Sequence, residues 1–155
     1  MSLLKAITLG LMLPSAVHAQ APDLRPISEY LQLSADRSDA AYPFLRCVGL
    51  FQGFFRYGGA NVSDEDATRT QIGNEAMGLV ALYLRQEKHS NFDTNDLAAQ
   101  LGSEIETATQ IYQDRMTRNY SLTGEAYGSD ATIIDDFETC AIIVQQSIDT
   151  VFNNQ

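Results

Sequence analysis

From Pro43 onward, apolar side chains return every three or four positions along four segments separated by short breaks. The first segment starts at Pro43, a suitable first-turn proline, and carries Phe44, Cys47, Val48, Phe51, Phe54 and Phe55 before Gly58-Gly59 stops it. The second opens on Ser63-Asp-Glu-Asp66, a serine cap with acids in the first turn, where the helix dipole favours them. It carries Ile72, Ala76, Leu79, Val80, Tyr83 and Leu84 toward one predicted face and ends in Arg85, Lys88 and His89. The third opens at Asp93-Thr94 and carries Leu97, Leu101, Ile105, Ala108, Ile111, Tyr112 and Met116. A glycine-containing break over Ser121–Asp130 leads to the fourth, with Ile133, Ile134, Phe137, Cys140, Ala141, Val144, Ile148 and Val151. A shorter amphipathic stretch, Ile27–Leu33, precedes them all. Strand-like alternation is nearly absent, so the spacing predicts an all-α fold: an antiparallel four-helix bundle with a short extra N-terminal helix.

The N-terminus follows a different logic. A basic start ending at Lys5, an apolar run from Ala6 to Leu13 and a small-x-small ending at Val17 and Ala19 predict a secretory signal peptide over residues 1–19. The run is far shorter than the roughly 20 residues needed to span a bilayer. The expectation is therefore one helical domain over residues 20–155, exported to the bacterial periplasm or the medium, with no membrane insertion after cleavage.

Export changes the reading of the two cysteines. Cys47 and Cys140 lie on the apolar stripes of the first and fourth segments, which are neighbours in an up-down-up-down bundle. In an oxidising compartment such a pair predicts a disulfide. Neither sits in a C-x-x-C turn that would lower a thiol pKa, so the bond reads as a staple and not as a redox centre.

Composition then narrows the chemistry. The chain has 155 residues, an ordinary 45% apolar content, and twenty acids against ten bases, for a net charge of −10. That balance argues against nucleic acid and against an anionic membrane surface, both of which call for clustered bases. Signal removal takes Lys5 and His18, leaving a single histidine, His89, and a chain more negative by one. No C-x-x-C-H or paired Glu-x-x-His occurs for haem or di-iron binding, and a haem held by His89 with Met77 or Met116 is geometrically excluded in the predicted bundle. Zinc lacks ligands. A faint calcium-loop pattern from Asp64 to Glu75 has Arg69 where a glycine is required. A nucleophilic triad would rest wholly on His89, without a G-x-S-x-G elbow. The acids at 64–66 and 130–136 read as solvated helix starts, although paired surface carboxylates leave hydrolysis as a minor reading. No metal, cofactor or enzymatic activity is expected.

The aromatic load of the first segment is the remaining candidate. Phe44, Phe51, Phe54 and Phe55 crowd one helix flanked by Tyr42 and Tyr57, while Gly49 and Gly53 would let another helix approach closely. Arg46 and Arg56 bracket it, able to pair with acids of the last helix or to rim a site for a carboxylate. Phe51, Phe54, Phe55, Tyr57, Arg46 and Arg56 thus form the candidate binding set. The expectation is a non-enzymatic binding protein, inhibitor-, immunity- or chaperone-like, for a cationic periplasmic protein or a second copy of itself. The alternative is a carrier of a small apolar ligand near Phe51, Phe54 and Phe55.

Overall fold

The computed structural model describes residues 24–33, 39–58 and 61–153; the expected signal segment and Gly59 lie outside the described residues. Five α-helices follow in order: α1 Ile27–Leu33, α2 Tyr42–Gly58, α3 Asp64–Lys88, α4 Thr94–Thr123 and α5 Ala131–Ile148, the last continuing into a π-helical turn over Asp149–Asn153. They pack as a helical bundle, and no strand occurs among the described residues.

Local chemistry accounts for the helix ends. Ser63 caps α3 by accepting a hydrogen bond from the Asp66 N–H at 3.1 Å. Asp93 caps α4 through the Asn95 N–H at 2.8 Å, and Asp130 caps α5 through the N–H groups of Thr132 and Ile133. The break expected from Ser121 begins later, because α4 continues to Thr123. It stops where Gly124 takes the left-handed conformation (φ 78°) that a side chain would resist.

The helix α2 is central. Its tightest neighbour is α4, which Gly49 and Gly53 admit: a Cβ on Gly53 would lie 2.9 Å from the Thr109 carbonyl oxygen, and one on Gly49 would collide with the Ala108 side chain. The pairings Gly49 with Ala108, Gly53 with Tyr112 and Tyr57 with Tyr120 ascend together, so the two helices run in the same sense. The Cys47–Cys140 disulfide joins α2 to α5. Around it lie Val48, Leu50, Met77, Tyr112, Met116 and Ile133, all buried, with Ile27 of α1 inserted into the same core.

One predicted face is corrected. Of that face Ala76 is buried as expected, but Ile72, Leu79 and Tyr83 of α3 point outward, and the helix buries Gly73, Met77, Ala81 and Arg85 in their place. Small residues win because they allow close approach: the Val144 side chain of α5 occupies the space a Cβ at Gly73 would need. Arg85 fixes the rotation from the other end, paired with Asp39 before α2 and with Glu104 of α4. Asp39 in turn accepts from the Ala41 N–H, tying the start of α2 to the same cluster.

Candidate functional site

The sequence-derived set divides into an interior half and an exterior half. Arg46 is interior, 3% exposed, with Asp136 of α5 fully buried beside it. Its Nη2 donates to Asp136 Oδ2 at 2.5 Å and to the Tyr112 hydroxyl at 2.7 Å, and its Nη1 donates to the Arg25 carbonyl at 2.6 Å. The Tyr112 hydroxyl, accepting from Arg46, donates onward to Asp136 Oδ2 at 2.5 Å. The other Asp136 oxygen accepts from the Ile27 N–H at 2.6 Å, and neighbouring Asp135 accepts from the Ser28 hydroxyl at 2.7 Å.

Burial pushes the Asp136 carboxyl up, against the pull of Arg46, Tyr112 and the Ile27 N–H. Burial also drives the Tyr112 phenol well above its ordinary value, so it stays a donor. Every member has partners, and two of those partners are backbone groups of residues 25–27. The cluster therefore fixes the entry of α1 onto the bundle.

This corrects the reading of residues 130–136 as solvated acids. Asp130 is a cap but mostly buried, held by Arg115 at 2.6 Å and Asn119 at 2.7 Å. Burial raises its pKa and these donors, with the Ile133 N–H, outweigh that and bring it below the ordinary carboxylate range. Asp136 is not at the surface at all. A signal existed: Asp136 sits between Ile133 and Cys140 on the stripe that faces the core, and Arg46 adjoins the cysteine bonded to Cys140.

The exterior half gathers at the end of α2. Phe54 meets Phe137 edge-on at 5.6 Å and Tyr127 at 5.8 Å; Phe51 lies 6.1 Å from Phe137, and Phe55 lies 5.9 Å from Phe54. Tyr57 faces Tyr120 of α4 at 6.4 Å. These rings continue outward to two tyrosines that the sequence reading passed over, Tyr120 at 58% exposure and Tyr127 at 42%, and Leu122, 76% exposed, lies two positions beyond Tyr120. They lie in the last turn of α4 and the following loop. Arg56 is exposed here and pairs with Glu106 of α4 at 2.6 Å, not with the last helix.

Beside this end, a cleft of about 440 Å³ opens between α2, α3 and α4. Phe55, Val48 and Ile105 form its apolar walls, and Gln52, Asn74 and Glu75 contribute polar groups. The Asn74 carboxamide oxygen is buried without a hydrogen-bond partner, a condition that costs roughly 1–3 kcal/mol. Among the described residues, no three His, Cys, Asp or Glu side chains come together as a metal site, and no helix is long and apolar enough to cross a membrane. Comparison with known proteins gives no match: no family model, no curated protein and no solved structure is similar to this chain.

Proposed function

We propose that this chain is a non-enzymatic, exported binding protein that engages a basic protein partner through the aromatic end of its bundle, in an inhibitor-, immunity- or chaperone-like role. The observation that carries the reading is the outward continuation of the ring cluster. Tyr120, Leu122 and Tyr127 lie exposed, yet Tyr127 is braced by Phe54 and Phe137, and Tyr120 by Tyr57. Rigid tyrosines of this kind anchor protein interfaces at low entropic cost, because little freedom remains to be lost on binding. The net charge of −10 selects for a cationic partner and speeds encounter with one.

Export is supported by the Cys47–Cys140 bond, which suits the periplasm, and by the signal-like residues 1–19. An up-down-up-down course for α2–α5 is supported by the shared direction of α2 and α4 and by the short links at 89–93 and 124–130. The carrier reading has less support, because Phe51 and Phe54 pack against Phe137 and Tyr127, and open space begins only at Phe55.

The test is affinity capture from periplasmic extract at low salt, using the wild-type protein, Leu122→Asp and Tyr120→Ala. A basic protein should be retained by the wild type, released by salt, and lost by both variants while their melting curves stay unchanged. Retention indifferent to salt or to both substitutions would overturn the proposal.

A further inference from the structure

The cleft beside the aromatic end has an unbalanced set of polar groups. Glu75 brings a carboxylate, with one oxygen accepting from Gln71 at 3.1 Å. Asn74 holds an unpartnered carbonyl oxygen, and the Gln52 oxygen accepts only a long 3.3 Å bond from Thr109. Glu75 is the one charged side chain on the lining, beside the amides of Gln52, Gln71 and Asn74 and the Thr70 hydroxyl, and no lysine, arginine or histidine lines the cleft to meet it. Asn74 is half-buried, and its carboxamide has no hydrogen bond among the described residues, so a half-turn about its terminal bond exchanges oxygen and nitrogen. On α2, Phe55 presents a ring and Val48 apolar surface on either side of Gln52, and Ile105 of α4 adds to the apolar lining.

We propose that this cleft binds a cationic, donor-rich head on an apolar stem, and that in the cell this is an arginine side chain of the basic partner. A guanidinium carries five N–H donors and no acceptor, which complements the Glu75 carboxylate and neighbouring amides that can turn an oxygen toward it, with no competing cation. Its planar head and methylene stem match the ring and aliphatic walls. Phe55 touches Phe54, which also meets Tyr127 and Phe137, so the cleft adjoins the exposed tyrosine surface. The inference rests on the reading of that surface as the docking face and adds what the partner inserts beside it.

Three flat molecules of similar size and different charge test it: phenylguanidine, phenylurea and benzoate, titrated into the isotope-labelled full-length protein and followed by NMR. Phenylguanidine should shift the side-chain amide signals of Gln52 and Asn74 saturably. Phenylurea should bind at least tenfold more weakly, and benzoate should give no saturable shift. Glu75→Gln, an exposed position, should remove the preference for phenylguanidine over phenylurea and leave the melting curve unchanged. Equal affinities for the charged and neutral probes, a preference that survives Glu75→Gln, or shifts confined to other parts of the molecule would each overturn the proposal. Leu122→Asp should leave phenylguanidine binding intact. A failure of the docking face therefore registers in partner capture alone, and a failure of the cleft in the probe titration.

Discussion

Arg46 and Arg56 sit ten positions apart on one helix, each paired with a carboxylate, and have opposite meanings. Arg46 and Asp136 are 4% and 0% exposed at their side chains; Arg56 and Glu106 are 42% and 57% exposed. The inner pair has given up water and needs every partner it has: Tyr112, the Arg25 carbonyl and the Ile27 N–H. The outer pair has two good hydrogen bonds, at 2.6 and 2.7 Å, yet water can replace both. Contact distances are similar in the two places, and the outer pair even has the second bond. The loss on breaking either pair is set by what surrounds the charge.

That contrast can be broken at its root. Replacing Cys47 and Cys140 by alanine removes the bond that brings α2 and α5 together beside the inner pair, across 93 positions of chain. The expected loss is about 4–5 kcal/mol in the chain-entropy account, read as a fall in urea midpoint with a steeper slope, because the unlinked denatured chain is more expanded. Next, Arg46→Ala should cost about 3–5 kcal/mol by leaving Asp136 charged and unpaired, again by urea denaturation. A double-mutant cycle over Arg46 and Asp136 should give a coupling of about 1–3 kcal/mol; a value near zero would mean the pair is not the organising contact described.

Asp130 lies between these extremes, partly buried and charged. Its pKa is depressed in the folded protein, so its stabilisation is present above the unfolded value of about 4 and is lost as pH falls through the lower folded value. Asp130→Asn should therefore cost about 1–2 kcal/mol near neutrality, and the gap from wild type should close in melts run across pH as the pH falls through the lowered carboxyl value. Asp136 works in the opposite sense. Its carboxyl is raised, so acidification through that raised value relieves a penalty. The smallest effect belongs to Arg56→Ala, for which the urea midpoint should not move measurably. A clear drop would show that exposure alone does not separate the two arginines.

Much of this architecture is legible in the residues. Ser63, Asp93 and Asp130 announce helix starts because a side-chain oxygen before an apolar-periodic run meets an unpaired N–H. Gly49 and Gly53 announce a close helix contact because two glycines four positions apart open one strip of the α2 surface. The rotation of α3 is not legible, because its large apolar residues, Ile72, Leu79 and Tyr83, define a stripe as regular as the small residues that are buried. Only the partner surfaces, Val144 and the Asp39–Glu104 pair, decide between the two. Asp136 is hidden for a related reason: an acid near a helix start has a sufficient local explanation, and the opposing Arg46 is 90 positions away. The exposed end escaped notice because Tyr120 continues the four-residue spacing of Tyr112 and Met116 and so reads as core, while Tyr127 lies in a loop; both meet rings of α2 only in the folded protein.

The hydrogen bond from the Ile27 N–H to Asp136 spans 109 positions, and this has a bearing on the order in which the chain is made. Asp136 follows Ile27 by 109 positions, so the start of α1 has no docking site until α5 has emerged. During that interval the N-terminal region is left without its seat on the bundle. Its final placement becomes a late event, timed by the arrival of α5.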